Sequence, residues 1–319
     1  MVAVMEDAIV VGGGPAGLAA AIWLARYRRK VLVIDSGEHR NRWTEQAHGY
    51  LGFDPISPHE LLDRARRDLA RYPTATLRQA RATAAHALDE GFAVEVDGEP
   101  VLAHRLVLAT GVRDRFPDVD GFFDHYGRSV FHCPACDGYE ARDRDVVALG
   151  WAPHVAGFAL ELLDWARSVT VVTDGHHFEG EDHHRDALAR NDVRLIEQDA
   201  AALLGEPGAL EGVQLGNGEV VPAQLAFFSI GHEPASPLAA ELGCRTTEGG
   251  ECIWVDDDGQ TSVAGVYAAG DMTPGTQLIQ IAAAKGVTAG VACAMSLRGE
   301  ITLTDSPTPA PDIESELSE

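Results

Sequence analysis

Cys133-Pro134-Ala135-Cys136 is where this sequence could do chemistry. Two residues between cysteines allow a disulfide to close within one turn, and such a pair can take up two electrons and open to two thiols. A zinc knuckle would need two more ligands at similar spacing. Cys244 and Cys252 lack that spacing and have no close histidine, so no metal is expected here. Asp137, next in the chain, offers a carboxyl group to carry the proton that thiol and thiolate exchange. The same residue also suits a helix cap or a turn. His132 reads two ways: an imidazolium that lowers the thiol pKa, or a strand-end residue facing water. Cys244, Cys252 and Cys293 read as packed small hydrophobes. His176, His177, His183 and His184 fall in a stretch of alternating charge, which favours a solvated loop over a metal site.

A second group of residues could hold a cofactor. Gly12-Gly13-Gly14-Pro15-Ala16-Gly17 fits the G-x-G-x-x-G pattern between a strand and a helix. Gly12 allows the tight turn, Gly14 lets the backbone approach a pyrophosphate, and Gly17 lets helix and strand pack closely. The helix start presents free N–H groups to phosphate. Asp35 ends the next strand and can accept from ribose hydroxyls.

The elements that must position these groups repeat. Residues 7–35 read as strand, glycine turn, alanine-rich helix and strand, and a second strand–helix–strand begins at Asp145. Hairpins are expected at Asp97-Gly98 and around Asn217-Gly218. The fold class is therefore α/β with two Rossmann-like nucleotide-binding domains. The first is expected to be discontinuous, residues 1–113 plus 232–303, with a second NAD(P)H-type domain carrying the cysteine pair inserted at 114–231. Residues 304–319 hold five acidic residues, three prolines and no base, the composition of a solvated disordered tail.

A chain of 319 residues, 45% hydrophobic, suits two such domains. The net charge of −24 argues against nucleic acid, which needs clustered Lys and Arg. No apolar run is expected to approach the about 18 residues of a membrane span, and the N-terminus lacks a signal-peptide pattern. Five cysteines, an odd number, do not make a secreted disulfide framework, so a cytoplasmic location is expected.

The order of motifs resembles the low-molecular-weight thioredoxin reductase family nearly end to end. The matching pieces are the N-terminal fingerprint, Ala109-Thr110-Gly111, Cys133-x-x-Cys136-Asp137-Gly138, Ile230-Gly231-His232-x-Pro234, Gly270-Asp271 and a last helix opening near Gln280. The resemblance implies FAD in the first site, with Asp271 at the ribitol chain and the helix after Gln280 directed at the flavin ring. It implies Cys136 against the flavin, Cys133 as the interchange thiol, Asp137 as the proton carrier, and a homodimer. In that family the central domain rotates to present either cysteines or nicotinamide.

At the second nucleotide site the sequence departs from the family. Gly150 is followed by Trp151-Ala152-Pro153, so close backbone approach and one N–H are lost. The arginines that hold a 2′-phosphate are replaced by Thr173-Asp174-Gly175-His176-His177. Asp174 would suit NADH; alternatively Trp151 closes the site, as in dithiol oxidases of the same superfamily or in relatives fed by ferredoxin or flavodoxin. NAD(P)H is thus a doubtful cofactor. Tyr139-Glu140 resembles the oxidase branch and Asp137 the reductases. The loop 36–54 departs too, with Trp43 or His48 near the flavin or the whole loop a lid over it. The expectation is an FAD-dependent thiol–disulfide oxidoreductase that moves electrons between Cys133/Cys136 and FAD. Its substrate would be a dithiol or disulfide in a small protein or small molecule. A nicotinamide-dependent reductase of thioredoxin and a non-catalytic redox sensor are the alternatives.

Overall fold

The computed structural model describes residues 5–298. The acidic stretch 304–319 and the end of the expected first domain lie outside the described residues. A seven-stranded sheet runs Ala75–Gln79, Val31–Asp35, Met5–Val11, Glu99–Leu108, Phe92–Val96, Ala82–Ala87, and Val266–Ala268 also pairs with Glu99–Leu108. Met5–Val11 is parallel to both of its neighbours. Its residues alternate between two cores: Ala8 and Val10 join the helices on one face, and Ile9 and Val11 join the core on the other. Parallel strands covered on both faces require such continuous apolar runs.

The helix Pro15–Arg26 covers one face beside Ile279–Ser296. The two helices approach closely because Gly286 and Gly290 stand where any Cβ would collide with the backbone of Ala16 and Ala20. Ile279–Ser296 has 18 residues and a mean hydropathy of 1.3, so by length and composition it could cross a membrane. This corrects the expectation that no apolar run approaches that length; Lys285 is the one charged residue within it. In the fold, Ala282, Ala289, Cys293 and Ala294 of this helix are buried in the core.

The second sheet, all parallel, runs Arg194–Ile196, Ser168–Val172, Asp145–Leu149, Leu225–Phe228, Val130–Phe131. A three-stranded antiparallel sheet, Ala200–Glu206, Ala209–Leu215 and Val220–Pro222, packs against it. The chain enters this half through Val112–Asp114 and leaves through His232–Pro234. These two strands pair antiparallel, with Asp114 opposite His232.

Candidate functional site

A cavity of about 890 Å³ opens above the first glycine loop and reaches the cysteine pair. At Gly12 the backbone has φ 108°, and an added Cβ would strike the Ala109 carbonyl; at Gly17 it would strike the Gly12 carbonyl. Gly14 differs: nothing lies within 4 Å of where its Cβ would stand, so the space is open for a ligand. Gly14 caps Pro15–Arg26 without a side-chain bond, and Pro15 occupies the first turn. The first-turn amides of Ala16 and Gly17 therefore have no helical acceptor, and Ala16 lines the cavity. Asp35 is buried at its strand end; its carboxylate accepts from Gly37 N (3.1 Å) and Arg66 Nη2 (3.1 Å).

Gly12, Gly14, Pro15, Ala16, Asp35, Thr110, Gly111, Gly270, Asp271 and Gln280 line this one cavity, together with Cys136 and Asp137. Gly17 and Cys133 do not line it. Gly17 lies beneath the loop as a packing residue. Cys133 and Cys136 are joined as a disulfide. Cys133 caps the short helix Pro134–Asp137, its Sγ accepting from Cys136 N at 3.1 Å. A sulfur that accepts an amide at a helix start carries negative charge more readily once reduced. Gly138 seats this turn on the Trp165 ring, which a Cβ there would strike. Gln280 donates to the Gly49 carbonyl from the start of Ile279–Ser296.

Asp137 is buried, and burial, reinforced by the nearby charge of Glu140, pushes its carboxyl up to about 7. A carboxyl group that titrates there can both hold and release a proton at neutral pH. His132 matches neither sequence reading. Burial lowers its pKa and so favours the neutral imidazole, and Nδ1 pairs with the Tyr126 hydroxyl at 3.1 Å. Burial also keeps the Tyr126 phenol protonated.

Sequence reasoning missed the ion cluster beside these groups. Arg40 donates to Asp114 (2.6 and 2.9 Å), to Asp271 Oδ2 (2.9 Å) and to Gln277 Oε1 (2.7 Å). Burial opposes both charges, but these bonds outweigh it, lowering the Asp114 carboxyl and holding Arg40 charged. The only signal was the basic run His39-Arg40-Asn41-Arg42 in the loop after Asp35, and its acidic partners are remote in the chain. Of the two loop residues singled out, His48 lines the cavity, whereas Trp43 packs against Phe123 (5.1 Å between ring centres) and Tyr126 (6.4 Å) of the other half. Glu45 pairs with Arg128 at 2.7 Å there.

The second loop has a different shape. Trp151 stacks on His176, with ring centres 3.7 Å apart and planes 18° from parallel. Its carbonyl accepts from Glu179 N (2.8 Å), and His154 Nε2 meets Ser229 Oγ at 2.9 Å. Asp174 has φ 52° and accepts from Ala200 N at 3.1 Å; burial raises its pKa. The remaining histidines have local partners: His177 lies by Glu197, and His183 and His184 by Glu181. Among the described residues no group of three or more His, Cys, Asp or Glu could hold a metal ion. Cys244 and Cys293 are buried and free, and Cys252 is half-buried and free.

Comparison with known proteins decides the family. The family model described as pyridine nucleotide-disulphide oxidoreductase matches residues 6–286. The chain belongs to that family. It is similar to a thioredoxin reductase of Mycolicibacterium smegmatis, 30% identical over 94% of this chain and 97% of the relative. Among solved structures it is similar to an oxidoreductase from Agrobacterium tumefaciens, 33% identical, with a TM-score of 0.84 over 92% of this chain and 99% of that one. A structure of a protein called HlmI is also 33% identical, with a TM-score of 0.85 over 91% and 92% of the two chains. The protein is a thioredoxin reductase-like flavoprotein, an FAD-dependent disulfide oxidoreductase. The residues present fit FAD: an open space over Gly14, free helix amides below it, and one continuous cavity from Asp35 to Cys136.

Proposed function

We propose that this flavoprotein oxidises dithiols through Cys133–Cys136 and that its second nucleotide site takes no nicotinamide. The observation that carries this reading is the Trp151–His176 stack. The stacked rings occupy the turn that follows the first strand of the second unit, and the Asp174 carboxylate is taken up by the Ala200 amide.

In this reading Gly12, Gly14 and the amides of Ala16 and Gly17 hold the pyrophosphate, Asp35 the ribose, and Asp271 with Gln280 the flavin half. FAD, when bound, would supply a two-electron acceptor in the cavity that Cys136 lines. The protein's own residues perform the thiol steps. Asp137 takes a proton from the first substrate thiol, and the thiolate attacks Cys133 Sγ. The Cys133–Cys136 bond breaks with its electron pair on Cys136 Sγ. The second substrate thiolate then attacks the mixed disulfide, releases Cys133 and leaves as the product disulfide. Two electrons now rest on the cysteine pair for transfer to FAD, and two protons pass to Asp137 and solvent. Oxygen or an electron carrier must accept the pair in turn.

The test is an anaerobic titration of the yellow protein with NADPH, NADH and dithiothreitol in parallel. Bleaching by dithiothreitol alone, reversed by air, is the expected result. Fast bleaching by either nicotinamide would replace this reading with that of a reductase of thioredoxin or a similar protein, which the names of several relatives favour. A single reduction without turnover under excess dithiol and air would favour a sensor. A cytoplasmic location and a homodimer complete the proposal, the first supported by three free cysteines.

A further inference from the structure

Glu140 follows Asp137 by one helical turn, and both line the cavity that Cys136 faces. Its two oxygens are placed differently. Oε2 is buried and has no hydrogen-bond partner. Oε1 lies 3.7 Å from His48 Nε2, and His48 Nδ1 lies 3.3 Å from the exposed Asp54 carboxylate. An unsatisfied buried acceptor is destabilising, and the structure shows no bond in return. The other charges around the turn have their own partners. Arg142 stacks on Tyr139 and donates to its carbonyl, Arg40 is held by Asp114 and Asp271, and Tyr126 pairs with His132. Glu140 is therefore the carboxylate left without a hydrogen-bond partner in the cavity that Asp137 also lines, and His48 is the basic side chain beside its other oxygen.

We propose that the Glu140–His48 pair sets the pH at which Asp137 exchanges its proton with the thiols. Glu140 holds negative charge against Asp137 and delays the loss of its proton; His48 governs how much of that charge Asp137 feels. The loop 36–54 thus reaches the chemistry through His48, although it lies far from the cysteines in the chain. Burial is the larger cause of the displaced Asp137 carboxyl and Glu140 the second, so Glu140 adjusts a setting that the cavity makes. Glu140 is a positioning residue in this scheme: it acts on Asp137, and no electron or sulfur passes through it.

This inference rests on the dithiol reading above, and the experiment separates the two. Anaerobic flavin bleaching by dithiothreitol is followed by stopped flow from pH 5.5 to 9 in the FAD-loaded wild type, Glu140→Gln, His48→Phe and the double variant. The ionisation of the probe is common to all four, so only differences between profiles are read. Glu140→Gln should move the profile acidward by about half a unit to one unit. His48→Phe should move it alkaline by less, and the double variant should coincide with Glu140→Gln, because His48 acts through Glu140. A Glu140→Gln profile superimposed on wild type, or equal shifts of one sign in both single variants, overturns the proposal. Wild type that dithiothreitol fails to bleach overturns the dithiol reading itself and takes this inference with it. Retained flavin absorbance in each variant shows that the fold and cofactor survive.

Discussion

Two strand–turn–helix units of similar design carry loops of opposite character. In the first, Gly14 has open space above it and Pro15 opens the helix without obstructing it. In the second, the place of that open turn is taken by Trp151, whose ring is stacked on His176, and Pro153 caps the helix. Both sheets carry buried apolar clusters on both faces. A nucleotide-type unit can therefore keep its whole hydrophobic core while its loop turns from a cradle into a plug. The fold is held by the strands; ligand binding is held by a few small residues that contribute little to the core.

The contrast can be broken most severely from the open side. Gly14→Val places a side chain where no protein atom stands, so the chain should fold normally and lose its FAD by about two orders of magnitude in affinity or more. Circular dichroism with flavin absorbance reads both halves of that outcome, and a yellow variant would show that Gly14 does not face the pyrophosphate. Next in size is Arg40→Ala, which leaves Asp114 buried beside the cavity without its partner. A loss of about 3–5 kcal/mol in urea unfolding is expected, and a loss under 1 kcal/mol would show that water replaces the guanidinium.

Asp137→Asn has two effects of opposite sign. The folded carboxyl titrates near 7, above its unfolded value, so its contribution to stability is present below the unfolded pKa and is lost as pH rises through 7. The asparagine variant should thus be more stable than wild type at pH 8, by on the order of 2–4 kcal/mol, equal to it at pH 3.5, and slower in flavin bleaching by dithiols. Equal stability at both pH values would place Asp137 in water. The smallest effect is expected at the plug. Trp151→Ala should leave bleaching by dithiothreitol within twofold, and NADPH should still bleach poorly because no arginine replaces Asp174. A large fall in the dithiol rate would mean that the indole supports the cysteines as well as filling the loop.

The difference between the loops could be read in the sequence because it is local. Gly12 to Gly17 and Asp35 lie within one strand–helix–strand, and Ala152, after Trp151, visibly takes the place of the glycine of close approach. The imidazole that receives the indole could not be read, since His176 reaches Trp151 only across the fold. The Arg40 cluster was hidden for the same reason: Arg40 and Asp271 are 231 residues apart and meet only when the loop, the connecting ribbon and the turn before the last helix converge. Glu140 was legible as a letter in a motif and not as a buried oxygen without a donor, because burial is a property of the assembled cavity. Neither the imidazolium nor the water-facing reading of His132 contained its contact with the Tyr126 hydroxyl, which lies on the same short approach to the cysteines.

The ribbon in which Asp114 stands opposite His232 has a consequence for how such an enzyme can change. Directly opposed residues in an antiparallel pair are about 4.5–5.5 Å apart at their Cα atoms, a gap that one or two residues can bridge. The sulfur-bearing half therefore enters and leaves through a single narrow port, like a cartridge in a socket. A chain spliced from 114 to 232 by a short turn would keep every glycine of the first loop, Asp35, Arg40 and Asp271. New cartridges could then be tried by recombination, altering what is oxidised while the cofactor socket stays as it is.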